Sequence, residues 1–188
     1  MNEQKKIAVF GGGSWATAIV KMLTENKDTI GWYMRNELAI DHIKENQHNP
    51  NYLQSAELNA KKLDLSNDIN FMVESYDVLI FAIPSAFLMS ELKKLTASLD
   101  NKIIFSAIKG IVPETGLIIG EHFNKEYSVP LENIGVITGP CHAEEVAMER
   151  LSYLTIACKD EEKAIFIENS LKSWYIKTKI SDDIIGTE

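Results

Sequence analysis

Residues 5–18 read KKIAVFGGGSWATA. Ile7 to Phe10 form a short apolar run between two lysines and a glycine cluster, the signature of a strand covered on both faces. A helical pattern begins at Ser14 and runs to Asn26. Between them Gly11, Gly13 and Ala16 fit G-x-G-x-x-G/A, placed directly after a strand and directly before a helix, which is the context that gives the pattern meaning. Gly11 lets the strand turn sharply, Gly13 lets backbone N–H groups approach a pyrophosphate, and Ala16 is small enough for the helix to pack on the strand. The pyrophosphate of a bound dinucleotide is expected at the positive helix end, near Ser14 and Trp15. Trp15 either stacks near that cofactor or packs the helix start.

The same alternation continues outward from this unit. Strands are expected at Lys6–Phe10, Thr29–Met34, Val78–Ile83, Lys102–Ser106, Ile134–Thr138 and Tyr153–Cys158. Helices are expected at Glu37–Lys44, Ala86–Leu99, Glu114–Lys125, His142–Met148 and Glu161–Leu171, with a further segment at Trp174–Lys179. Strands that are apolar almost throughout, alternating with helices, predict an α/β, Rossmann-type doubly wound fold: a mainly parallel sheet with helices on both faces. Glu45–Lys62 is polar and contains one proline, so it reads as a long surface excursion. Residues 1–180 are expected to form one NAD(P)-binding domain. Ser181, Asp182 and Asp183 read as an N-cap with acidic first-turn residues, so 181–188 opens a helix leading onward.

Bulk properties narrow the function classes. A chain of 188 residues buries a substantial core without disulfides or metals. A net charge of -8 disfavours nucleic acid and anionic membranes, so any anionic ligand must be held by local cations. The opening MNEQKK leads straight into a short apolar run, and no stretch of 18 apolar residues occurs, so neither a secretory leader nor a membrane span is expected. The reading is cytoplasmic, where Cys141 and Cys158 stay reduced. No metal site is expected: Asp160, Glu161 and Glu162 open a helix, where negative charge suits the N-terminus.

Where the nucleotide fingerprint expects an acid after the second strand, the chain reads WYMRN, ending in Arg35 and Asn36. Arg35 suits a 2′-phosphate, but it equally suits stacking on adenine or a solvated strand end, so both NAD and NADP stay open. Three further turns lie at expected strand ends: IPS around Pro84, SAIKG containing Lys109, and ITGPCHAEEVA from Ile137 to Ala147. In doubly wound sheets the ligand crevice lies outside those ends. A lysine there can hold a phosphate or polarise a carbonyl oxygen. His122 and His142 read as structural.

Taken together, GGGSWATA, the IPS turn, SAIKG, ITGPCHAEEVA and the closing DDIIGTE resemble the bacterial type of NAD(P)-dependent glycerol-3-phosphate dehydrogenase over nearly the whole chain. The resemblance implies an oxidoreductase that interconverts dihydroxyacetone phosphate and sn-glycerol 3-phosphate by hydride transfer, for phospholipid synthesis. It implies cofactor contacts at Gly11, Gly13, Ser14, Trp15, Ala16, Arg35, Pro84, Lys109 and Ala143, and substrate contacts at Lys109, Gly139 and Cys141. Cys141 and His142 depart from the family's GPSFA-like turn. Lys109 carries the expected catalytic role of polarising the substrate. The proton-transferring lysine is expected beyond Glu188, in a helical domain that also closes the crevice, so these residues alone are expected to bind cofactor with little turnover. Expected partners are the small phosphate substrate and, for the complete enzyme, a second copy in a homodimer. Two other readings fit the residues: a stand-alone NAD(P)-sensing module, and a related hydroxyacid dehydrogenase or ketopantoate reductase.

Overall fold

The computed structural model describes residues 5–188. The expectation about the first residues therefore lies, for residues 1–4, outside the described part. The chain runs β1 (Ile7–Phe10), α1 (Ser14–Asn26), β2 (Ile30–Tyr33), α2 (Glu37–Asn46), β3 (Leu63–Ser66), α3 (Ile69–Ser75), β4 (Val78–Phe81), α4 (Ser85–Leu92) and β5 (Ile103–Ser106). It continues with α5 (Ile119–Tyr127), β6 (Ile134–Thr138), α6 (Ala143–Ala147), β7 (Ser152–Cys158), α7 (Glu161–Leu171), β8 (Ile176–Ser181) and α8 (Ile184–Thr187).

One sheet of eight strands carries the order β3-β2-β1-β4-β5-β6-β7-β8. Strands β1 to β6 are mutually parallel, and β7 turns antiparallel to β6 before β8 pairs parallel with β7. This is the mainly parallel, doubly wound sheet expected from the alternating pattern. Because side chains along a strand alternate between faces, Ile7 and Val9 join one core while Ala8 and Phe10 join the other. The first core packs α1, α2 and α7 on the sheet, and the second packs α3, α4 and α5. The chain order reverses direction between β1 and β4, and a ligand crevice forms outside the carboxyl ends of strands at such a point.

Several expected elements are corrected. The Leu63–Ser75 stretch holds a short edge strand and a helix that periodicity alone did not reveal; β3 is only four residues, with alternating polar positions. Asp68 caps α3 by accepting from the N–H groups of Asn70 and Phe71. The helix expected over Ala86–Leu99 stops at Leu92. There Asn70 Oδ1 accepts from Thr96 N and Ala97 N, and its Nδ2 donates to the Lys94 carbonyl, so a side chain from α3 replaces the next helical turn. The helix expected from Glu114 begins at Ile119, because Gly116 adopts a left-handed turn closed by its N–H to the Val112 carbonyl. At the end of the chain Ser181 belongs to β8, and Asp183 is the cap of α8.

The Glu45–Lys62 excursion is largely exposed, and the structure adds how it packs. It folds back onto the molecule, burying Asn49, Ala56 and Leu58, and the Leu58 N–H donates to the Gln47 carbonyl. Its polar composition conceals this because the polar groups are spent on internal hydrogen bonds.

Candidate functional site

The glycine turn is held from three sides. Gly11 sits at φ +134°, and a Cβ there would lie 2.5 Å from the Ala82 carbonyl oxygen, so only glycine fits this packing against the end of β4. Trp32, fully buried in β2, donates its indole N–H to the Gly11 carbonyl at 2.6 Å. Asn49 donates to the Gly12 carbonyl at 3.1 Å and to Thr17 Oγ1 at 2.9 Å.

Gly13 has a different role. A Cβ there would meet nothing within 4 Å, so its backbone faces open space. Gly13 is the N-cap of α1, no side chain caps the helix, and its first turn carries no acid. The first N–H groups of a 13-residue helix are thus left free for an anion, with the positive end of the helix dipole behind them. These features fit a pyrophosphate.

The crevice has two halves that share Gly13, Tyr52, Ile83 and Pro84. The first, about 400 Å³, lies beside Gly11 to Gly13 and ends at Arg35, Asn36, Phe87 and Glu91. The second, about 430 Å³, runs past Ser14 and Trp15 to Lys109, Gly139, Cys141 and Ala143. The fold therefore gathers Gly11, Gly13, Ser14, Trp15, Arg35, Pro84, Lys109, Gly139, Cys141 and Ala143 around one cleft. Ala16 does not line it. Ala16 is fully buried beneath α1 and serves the helix–strand packing for which its size suits it.

Cations stand at both ends of the cleft. Arg35 is exposed, lies 5.7 Å over the Phe87 ring and sits 3.9 Å from the Glu91 carboxylate. Lys109 is exposed in the turn after β5, and among the described residues no carboxylate pairs with it. Half-buried Cys141 has its thiol pushed above the usual cysteine range by burial and by the charge of Glu145, against the opposing pull of Lys109. It is therefore a neutral thiol in the cleft wall at neutral pH. Glu145 also accepts from the His142 backbone N–H at 3.3 Å at the start of α6, where exposed His142 lines the second half of the cleft, whereas His122 is buried in α5 away from it. Among the described residues no three His, Cys, Asp or Glu side chains gather as a metal site, and no helix is long and apolar enough to cross a membrane.

Sequence reasoning missed Asn49, Tyr52, Phe87 and Glu91. The first two lie in the NPNYL stretch, whose buried asparagine and cleft-lining tyrosine look like ordinary loop residues until the loop is seen to fold back. Phe87 and Glu91 reach the cleft one helical turn apart on α4, a spacing that carries information only once the helix is placed beside β2.

A glycine turn between β1 and an uncapped α1, opening onto a two-part crevice at the sheet's switch point, defines a dinucleotide-binding domain of the doubly wound class. Residues 6–164 match the family described as NAD-dependent glycerol-3-phosphate dehydrogenase N-terminus, and the chain belongs to that family as its NAD-binding domain. The glycerol-3-phosphate dehydrogenase (NAD(P)+) of Bacillus pumilus is 33% identical over 189 residues, covering 98% of this chain and 54% of that protein. The enzyme of the same name from Pseudomonas aeruginosa is 31% identical over 188 residues, covering 100% of this chain and 54% of that protein. The chain thus spans about half the length of the curated relatives it matches. In fold it is similar to glycerol-3-phosphate dehydrogenase from Plasmodium falciparum, with a TM-score of 0.87 at 22% identity, covering 98% of this chain and 54% of that one. The enzyme from Coxiella burnetii gives a TM-score of 0.82 at 22% identity, covering 97% of this chain and 55% of that one.

Proposed function

We propose that this chain holds NAD(H) or NADP(H) along the cleft and presents dihydroxyacetone phosphate or sn-glycerol 3-phosphate to it at the Lys109 end. The observation that carries this reading is the continuity of the cleft from the open backbone at Gly13 to Lys109, a cation with no carboxylate partner among the described residues. In this reading the first-turn N–H groups of α1 bind the pyrophosphate, Arg35 and Phe87 receive the adenosine end, and Trp15, Pro84 and Ala143 flank the nicotinamide end.

The bound nicotinamide supplies or accepts the hydride at C2 of the substrate. In the reducing direction Lys109 donates a hydrogen bond to the carbonyl oxygen, drawing electron density from C2 and stabilising the negative charge that grows on oxygen. Gly139 and Cys141 shape the wall against which the substrate lies. The alcohol oxygen must also gain a proton, and a positioned acid contributes roughly 10²- to 10⁴-fold to such a step. We assign that acid to a lysine of a helical domain following residue 188, with 1–180 as the nucleotide domain and 181–188 as the lead into it. The shorter span of this chain relative to its relatives supports the assignment. A cytoplasmic setting accords with two unpaired thiols, Cys141 and Cys158.

The test is a fluorescence titration of the chain with NADH and NADPH, followed by dihydroxyacetone phosphate with and without Lys109→Met. Binding of a dinucleotide, and a substrate response that Lys109→Met abolishes, is the expected result. Absence of dinucleotide binding up to millimolar concentration overturns the reading. Strong dihydroxyacetone phosphate-dependent NADH oxidation by these 188 residues alone overturns the placement of the proton-transferring lysine.

A further inference from the structure

The end of β2 is where nucleotide domains commonly place an acid for the adenosine ribose, and here the chain places Arg35. An acid nevertheless reaches the same corner from another element. Glu91 comes from α4, is only 4% exposed, and lines the cleft half that holds Arg35 and Phe87. A buried carboxylate persists only if it is paired and hydrogen-bonded. Glu91 is both: Tyr33 Oη donates to its Oε2 at 2.5 Å, and Lys94 Nζ reaches its two oxygens at 3.0 and 2.9 Å. Arg35 Nη1 lies 3.9 Å from Oε1 on the cleft side. Although burial pushes the Glu91 carboxyl up, the Tyr33 and Lys94 bonds and the Arg35 charge outweigh it, so the group sits below the usual carboxylate range and is ionised at neutral pH.

We propose that Glu91 is a specificity-determining residue for the dinucleotide: its buried carboxylate supplies the acid absent after β2, draws Arg35 back toward α4, and disfavours a 2′-phosphate relative to a 2′-hydroxyl. This rests on the dinucleotide reading of the cleft. Lys94 offsets part of the Glu91 charge, but Lys94 is half solvated, with 53% of its side chain exposed, whereas Glu91 is held inside the wall. A 2′-phosphate, with nearly two negative charges, therefore meets a fixed like charge behind the arginine that would bind it. A ribose 2′-hydroxyl brings no such charge, and a carboxylate is an acceptor it can use directly or through water. Arg35 alone suits NADP(H); Arg35 with Glu91 behind it is tilted toward NAD(H).

The experiment measures dissociation constants of the chain for NADH and NADPH, and for the truncated probes 5′-AMP and 2′,5′-ADP, before and after Glu91→Gln. Glutamine keeps an acceptor for Tyr33 and removes the charge. The expected result is a shift of the NADPH-to-NADH affinity ratio toward NADPH by about tenfold, mirrored by the truncated pair. Lys94→Met, which leaves Glu91 in place with less compensation, is expected to move the ratio toward NADH and serves if Glu91→Gln fails to fold. A merely structural role changes both nucleotides together. An unchanged ratio in either folded variant, or a Glu91→Gln shift toward NADH, overturns the proposal while leaving the dinucleotide reading intact. Absence of binding of every probe to the unmodified chain overturns both.

Discussion

Asn49 and Gly12 are joined by a hydrogen bond from the asparagine side-chain amide to the glycine carbonyl, 3.1 Å long, across 37 residues of chain. The same amide donates to Thr17 Oγ1 at 2.9 Å, so a single buried side chain ties the Glu45–Lys62 loop to both the glycine turn and α1. Replacing Asn49 with Ala removes both bonds and leaves buried acceptors without donors, a loss of about 1–3 kcal/mol in unfolding free energy. Urea denaturation and an NADH titration check it: the midpoint is expected to fall and the affinity to weaken together. A variant with unchanged midpoint would show that the loop is not a support of the turn.

Two glycines two residues apart are expected to fail in different ways. Gly11→Ala forces a methyl against the Ala82 carbonyl at a φ of +134°, and destabilises the fold by about 1–3 kcal/mol or more. Gly13→Ala adds its methyl to open space in an extended backbone, so stability stays within about 0.5 kcal/mol while dinucleotide affinity drops at least about tenfold. Denaturation curves and titrations of the two variants side by side separate the packing glycine from the ligand-facing one. Equal loss of stability in both would contradict the distinction.

Buried His122 carries a pH dependence. Burial holds its pKa below the ordinary 6.5, against weaker opposing charges of Glu126 and Glu114, and its Nε2 has no hydrogen-bond partner among the described residues. Because the folded-state pKa is the lower one, the unfolded chain takes up the proton first. Stability is therefore full above about pH 6.5 and declines as the pH falls from there toward the folded-state value. Denaturation midpoints of the chain and of His122→Leu are compared at pH 8 and pH 5.5, and the midpoint of the unaltered chain is expected to fall relative to that of the variant at the lower pH. A constant difference between them would remove His122 as the cause.

The two thiols are expected to react unequally. Cys141 is half-buried in the cleft wall with a raised pKa, so iodoacetamide modifies it slowly at neutral pH and faster as the pH rises toward 9. Bound NADH shields it. Cys158 is 2% exposed and packs its sulfur against the carbonyl of Ile134, so it reacts only on unfolding. Mass spectrometry of the labelled chain reads both; modification of Cys141 at the same rate with and without saturating NADH would place the thiol outside the occupied part of the cleft.

The sequence alone carried the doubly wound fold and the cofactor turn, because both are written in short-range pattern: apolar four-residue strands, helical periodicity after Ser14, and Gly11, Gly13 and Ala16 at fixed spacing. It also carried Lys109, Gly139 and Cys141 as a group, since each follows a strand and parallel strands deliver their ends to one edge of the sheet. Tertiary structure alone decided what stands behind those residues. Asn49 supports the turn and Glu91 supports and opposes Arg35 through contacts spanning 37 and 56 positions or more, and no local pattern marks a loop asparagine or a helical glutamate for such a role. The same holds for the end of α4, which the Asn70 side chain of another helix stops. Local conformation follows from each residue's own backbone and side-chain preferences, whereas the pairing of a buried polar group depends on which distant partner the packed fold brings within hydrogen-bond distance.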